Sequence, residues 1–232
     1  MSGKLQPGNP QPANLWIKLC ANTSLADAQL AAEAGANAVG FVFGPSPRRV
    51  TLTQVAAIVP HLPASIEKIG VFVDATFAEI AATVEACSLT GVQLHFDAPP
   101  ELAAQLRNRF GPSLRILGVM HFDAASNQPI AAVAEDPNID AILVDSRTAK
   151  ATGGTGVVYD WIAASQSLFQ NPAIQKPLVV AGGLTSANVA EAIATLHPWG
   201  VDVVSGVESA PGKKDPEKVK AFIANARATN CE

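Results

Sequence analysis

Short apolar, β-branched runs recur along the chain. Each is followed by a turn and then by an alanine-rich stretch whose apolar residues fall three and four positions apart. The runs cover residues 15–20, 38–43, 68–73, 92–95, 115–120, 141–145, 178–181 and 201–205. Apolar runs of this length, bounded by turn residues, predict buried strands. The stretches at 26–34, 53–59, 77–86, 99–109, 130–135, 159–169, 187–196 and 216–226 predict amphipathic helices. Helix ends carry chemical signatures. Ser24 stands three residues before Asp27 as a capping-box-like pair, and Asp215 followed by Pro216 predicts an N-cap with proline at the first helical position. Gly35 follows the first helix, where a left-handed residue often ends one.

Strands alternating with helices imply a parallel sheet covered on its faces. Eight such units in one chain of 232 residues predict an α/β protein with a single (β/α)8 (TIM) barrel, a fold that takes about 250 residues. The competing α/β solution, an open doubly wound sheet, usually carries a GxGxxG after its first strand, and this chain has none there. Residues 1–14 are polar and rich in Pro and Gly and predict a short disordered leader; residues 15–232 form the barrel domain.

Composition narrows the function. Hydrophobic residues make up 48%, charged residues only 16%, and the net charge is −4. Roughly 25% charge is typical, so the chain is no disordered polyampholyte. Nucleic-acid binders usually show a basic face, and the acidic balance argues against that class. Mean hydropathy is positive, but no apolar run approaches the roughly 20 residues of a membrane span. The first fourteen residues hold no apolar signal core, so the expected compartment is the cytoplasm. Three cysteines, Cys20, Cys87 and Cys231, form no even disulfide framework.

In this fold the active site lies at the C-terminal ends of the strands. That rule selects Cys20 after strand one, Arg48 and Arg49 after strand two, His95 after strand four, His121 and Asp123 near the end of strand five, and Asp145 after strand six. Three glycine clusters fall on consecutive strand ends: Gly153-Gly154-Thr155-Gly156, Gly182-Gly183 and Ser205-Gly206. Glycine lets backbone N–H groups approach an anion, and barrels of this kind often bind phosphate after strands seven and eight. A phosphate-bearing small molecule is the expected ligand, with Gly154, Gly182, Gly183, Ser205 and Gly206 around its phosphate. Blander readings exist for each residue. A strand-end Cys is usually a small buried hydrophobe, an Asp often a cap, a glycine often only a turn residue. His95 and His121 show no tight metal-ligand spacing, so no metal site is expected.

The segments Lys18-Leu19-Cys20, Ala34-Gly35-Ala36-Asn37-Ala38-Val39-Gly40-Phe41-Val42-Phe43, Ser46-Pro47-Arg48, Val92-Gln93-Leu94-His95, Leu143-Val144-Asp145, Gly153-Gly154-Thr155-Gly156, Ala181-Gly182-Gly183-Leu184 and Ser205-Gly206-Val207-Glu208-Ser209-Ala210-Pro211-Gly212-Lys213-Lys214-Asp215 resemble, in order, those of the phosphoribosylanthranilate isomerase family of tryptophan biosynthesis. The resemblance implies a cofactor-free Amadori rearrangement of N-(5-phosphoribosyl)anthranilate to its aminoketose. It further implies Cys20 as general base, Asp145 as general acid, Arg48 as a holder of the anthranilate part, and His95 and Asp202 as further substrate contacts. The chemistry asks Asp145 for a raised pKa and Cys20 for a lowered one, the two titrating as a pair. The chain departs from the family at Ala21 and Phe96, where glycine is usual, at Val157 for lysine, at Val204 for serine, and in a loop at 44–47 one residue short. These departures keep open a non-catalytic phosphate-ligand binder. A metal-dependent sugar-phosphate epimerase on a similar barrel is the other alternative. The chain is expected to act as a monomer or homodimer.

Overall fold

The computed structural model describes residues 15–95, 98–99, 101–122, 130–146 and 159–229. The leader at 1–14, Phe96, Asp123, the glycines at 153–156, Val157 and Cys231 lie outside them. Eight parallel strands close into a barrel in chain order: β1 (Trp16–Leu19), β2 (Ala38–Val42), β3 (Glu67–Phe72), β4 (Gly91–Leu94), β5 (Arg115–Phe122), β6 (Ala141–Ser146), β7 (Leu178–Val180) and β8 (Gly200–Val203). The pairing of β1 with β8, Lys18 beside Asp202, completes the ring. Between and after the strands come helices α1 (Leu25–Glu33), α2 (Leu52–Ile58), α3 (Phe77–Cys87), α4 (Glu101–Phe110), α5 (Ile130–Glu135), α6 (Trp161–Ala164), α7 (Val189–Leu196) and α8 (Pro216–Ala228). Fifteen of the sixteen expected elements are present within two or three residues of their expected bounds, and the sixteenth, at 159–169, is divided. Helix ends fray, and boundaries shift by one or two residues for that reason.

Three differences carry information. The stretch at 159–169 is not one helix: α6 is a single turn, after which Ser165–Phe169 widens into a π-helix. Strand β5 runs on to Phe122, so His121 pairs with Asp145 inside the sheet. A two-stranded hairpin after β8, formed by β9 (Glu208–Ala210) and β10 (Lys213–Lys214), was not expected.

Local chemistry explains the helices. Ser24 accepts a hydrogen bond from the Asp27 N–H, while the Asp27 carboxylate accepts one from the backbone N–H of Lys214, so the expected box is half a box. Full capping boxes stand at Thr51/Gln54 and Thr76/Glu79. Asp215 caps α8 through the N–H groups of Glu217 and Lys218. Gly35 is left-handed, at φ +97°.

Two apolar clusters follow from strand alternation. Outward residues such as Ile17, Phe41, Ile116, Ile142 and Val201 pack against Ile80, Leu106, Val189, Ile193 and Phe222 of the helices. Inward residues Trp16, Ile69, Leu117, Val119, Leu143, Val179 and Ala181 fill the barrel. At the N-terminal end the Trp16 and Trp199 rings stack at 5.2 Å, the Arg115 guanidinium lies 5.5 Å over Trp199, and Glu67 bonds both Arg115 and the Trp16 indole. The barrel is closed from below.

Candidate active site

At the C-terminal end the barrel opens into a cavity of about 290 Å³. Cys20, Arg48, His95, Asp145, Gly182, Gly183, Asp202 and Ser205 all line it. Of the expected site residues, Gly206 lies just behind the wall and Gly154 lies outside the described residues. Arg49 is exposed, and Cys87 is a buried side chain of α3. His121 is buried beside His95, ring centroids 6.2 Å apart.

Each wall residue is set by its strand. Cys20 directly follows β1, and its N–H donates to the Val203 carbonyl at 2.9 Å. Two residues upstream on the same face, Lys18 is completely buried. Its ammonium donates to Asp202 Oδ1 on β8 and to Gln93 Oε1 on β4, each at 2.9 Å. Asp202 is thus held in a buried ion pair as well as facing the cavity.

Arg48 is gripped from behind. Its Nε and Nη2 donate to the Glu208 carboxylate at 2.7–3.0 Å, and Glu208 is 4% exposed. Fork-to-fork pairing of this kind fixes the guanidinium plane. Arg48 also lines the cavity. Lys214, also buried, ties the strand ends together: Nζ donates to the Cys20 carbonyl at 2.6 Å and lies 3.6 Å from Glu208.

The glycines after β7 answer to close packing. Gly182 and Gly183 are left-handed, at φ +83° and +67°. A Cβ on Gly182 would strike the Ser146 hydroxyl and come within 2.6 Å of Asp145 Oδ1. Asn188 staples the loop, donating to the Gly183 carbonyl at 3.0 Å and accepting from the Thr185 N–H at 2.7 Å. A Cβ on Gly206 would strike the Leu184 carbonyl, so the loops after β7 and β8 press together.

Electrostatics correct one expectation. The Cys20 thiol is not pushed down. Burial raises its pKa, and the pull of Lys18 offsets that only in part. Lys18 keeps its proton to higher pH than usual, because Asp202 and Cys20 outweigh the desolvation that works against its charge. Beside Asp145 the Tyr159 hydroxyl is buried and pushed far up, first by desolvation and then by the Asp145 charge.

Sequence reasoning missed Lys18, Gln93, Glu208 and Lys214. A lone charge inside each of two apolar runs, Lys18 and Asp202, was the available signal for the buried pair. Glu208 and Lys214 sit on strands of three and two residues, too short for periodicity to register. Among the described residues no group of three or more His, Cys, Asp or Glu is placed to hold a metal ion, and no helix is long and apolar enough to cross a membrane.

Fold and site together define a (β/α)8-barrel protein whose strand ends bring a thiol, a carboxyl group and a pair of glycines to one cavity. Residues 17–225 match the family described as N-(5'phosphoribosyl)anthranilate (PRA) isomerase, and the chain belongs to that family. It is 42% identical over 217 residues to the N-(5'-phosphoribosyl)anthranilate isomerase of Pelobacter propionicus, covering 93% of this chain and 97% of the relative. The crystal structure of phosphoribosyl anthranilate isomerase from Thermotoga maritima is similar at a TM-score of 0.81, with 33% identity over 92% of this chain and 99% of that one. A second, at 0.78 with 31% identity and the same coverage, is an isomerase in complex with reduced 1-(o-carboxyphenylamino)-1-deoxyribulose 5-phosphate.

Proposed function

We propose that the chain catalyses the Amadori rearrangement of N-(5-phosphoribosyl)anthranilate to 1-(2-carboxyphenylamino)-1-deoxyribulose 5-phosphate. The observation that carries this reading is the gathering of Cys20, Asp145, Arg48 and Gly182-Gly183 on one cavity in a chain of the isomerase family. Asp145 protonates the furanose oxygen as the ring opens. Cys20, as thiolate, takes the proton from C2 of the sugar, and the resulting enolamine collapses to the ketone. Arg48 turns its free edge to the anthranilate carboxylate; Glu208 holds its other edge, which lowers the ordering cost of the contact. His95 and Asp202 border the same ligand. The phosphate lies at the loops after β7 and β8, against the N–H groups of Gly182, Gly183, Ser205 and Gly206; Gly154, outside the described residues, is the further expected contact.

Two of the departures, Ala21 and Val204, lie among the described residues and leave this machinery in place. Ala21 keeps the left-handed backbone that a glycine would take there, at φ +61°. Val204 removes a hydroxyl from the cavity wall but leaves the backbone donors of Ser205 and Gly206. The epimerase alternative needs metal ligands gathered at strand ends, and among the described residues none are gathered.

The test is to generate phosphoribosylanthranilate in situ and follow loss of its anthranilate fluorescence. Wild type accelerates the decay, and Cys20→Ala and Asp145→Asn each slow it about 10²–10⁴-fold, the usual share of one acid or base. Decay at the spontaneous rate with folded wild-type protein would overturn the reading in favour of a non-catalytic binder.

A further inference from the structure

The Lys18 ammonium serves no surface and no helix end. It lies beneath the cavity, completely buried behind the wall residues Gln93 and Asp202 that it bonds, and desolvating a charge is costly unless something there uses it. Asp202 is its register partner across the β1–β8 seam, and Gln93 reaches it from the opposite wall. Those two bonds fix the ammonium from two sides and occupy two of its three donors. Gly40 on β2 shows what lies beside it: a Cβ there would meet Cys20 Sγ at 2.6 Å and Lys18 Cε at 3.1 Å. The missing side chain is the space in which the lysine stem and the cysteine sulfur run side by side.

Two ammonium groups act on that sulfur, Lys18 from β1 and Lys214 from β10, and Asp202 of β8 opposes them. Lys214 is itself faced by the Glu208 carboxylate at 3.6 Å, which Arg48 shares, and by Asp27. Asp145, His95 and Arg48 stand on other parts of the cavity wall. Lys18 is the cation whose stem lies against the sulfur, and its pull on Cys20 is the larger of the two.

We propose that Lys18 is a positioning residue that holds Cys20 as a thiolate during proton transfer, with Asp202 and Gln93 clamping the ammonium in place. Lys18 never touches substrate. It acts through the sulfur. The proposal rests on Cys20 being the base and adds the group that makes a buried thiol able to act as one. Burial alone raises the thiol pKa, and Lys18 is the largest influence opposing that rise.

The experiment reads the thiolate directly. Absorbance near 240 nm is followed against pH in the full-length chain, with the Cys20→Ser titration subtracted to remove Cys87, Cys231 and tyrosine. Lys18→Met raises the Cys20 midpoint by at least one unit, tenfold less thiolate at a given pH, and Asp202→Asn lowers it. The rising limb of kcat against pH moves up with the Lys18→Met midpoint, while KM stays within threefold. Because Lys18→Met strands the Asp202 carboxylate, the double variant Lys18→Met/Asp202→Asn removes the pair together and still carries the raised midpoint relative to Asp202→Asn. An unchanged midpoint in either folded variant overturns the proposal and leaves Lys18 as no more than the core partner of Asp202. The absorbance titration stands whether or not the isomerase assay succeeds, so failure of the proposed activity is seen separately.

Discussion

The two ends of the barrel use charge in opposite ways. At the N-terminal end Glu67 and Arg115 form one matched pair, 24% and 32% exposed at the side chain, laid over stacked tryptophans. Water screens that pair, and its partners are already satisfied. At the C-terminal end Lys18, Asp202, Arg48, Glu208 and Lys214 are nearly all buried, and several share partners. Buried charge is expensive and weak evidence for stability. Matched, half-wet charge closes the floor of the fold. Crowded, dry charge at the mouth costs stability and supplies a field. Active sites are where such perturbation concentrates.

Breaking a pair at each end measures that contrast, and the mouth gives the larger effect. Arg48→Ala takes the fork from the buried Glu208 carboxylate and leaves it Lys214 at 3.6 Å and the Gly212 N–H, a change at the lower end of a broken buried pair, about 3 kcal/mol. Thermal unfolding should fall by roughly 10 °C, at about 2–4 °C per kcal/mol for a chain of this size. KM for phosphoribosylanthranilate should rise about 10–100-fold, the worth of one charged hydrogen bond. Arg48→Met with Glu208→Gln separates the two roles: most of the lost Tm returns, and KM stays high. A double variant that regains its KM would show that Arg48 acts only as a partner for Glu208.

The same contrast explains what could be read from the sequence. The barrel was legible because its strands are buried on both faces and read as largely apolar runs, as in 38–43 and 141–144. That Cys20, Arg48, Asp145 and Gly182 would line one cavity was legible because the fold gathers strand ends there. What supports them was not. Lys18 sits mid-strand, where a charge reads as an interruption, and its partners Gln93 and Asp202 lie 75 and 184 residues away. Glu208 grips Arg48 across 160 residues, from a hairpin with no periodicity to detect. The expectation of a depressed Cys20 pKa failed for the same reason. It was drawn from what a thiolate base requires, whereas the closed barrel buries the thiol, and that desolvation outweighs the pull of Lys18.

At the floor the effect should be smaller and confined to stability. Arg115→Ala removes a half-exposed ion pair and a cation–π contact, together worth about 1–2 kcal/mol. Tm should drop by a few degrees, with kcat/KM within twofold of wild type. A change in kcat/KM beyond that would mean the two ends communicate through the packed interior of Leu117, Val119 and Leu143.

Backbone strain divides between the ends as charge does, and here the effect is smallest. Among the described residues four non-glycine positions have positive φ. Two of them, Ser88 and His197, are left-handed C-caps of α3 and α7, an ordinary way to end a helix. The other two, Ala21 and Asp74, follow β1 and β3 at the mouth, and both line the cavity. Ala21 is the more costly, since alanine has no side-chain polar group to recover a local hydrogen bond and the left-handed region costs an L-residue about 1–2 kcal/mol. Glycine would remove that cost but add about 0.5–1 kcal/mol of chain entropy in the unfolded state. Ala21→Gly should therefore raise stability by about 0.5 kcal/mol, one or two degrees in Tm, with Cys20 activity kept. A fall in Tm would mean that the buried Ala21 methyl group contributes more through packing at the cavity wall than its backbone angle costs.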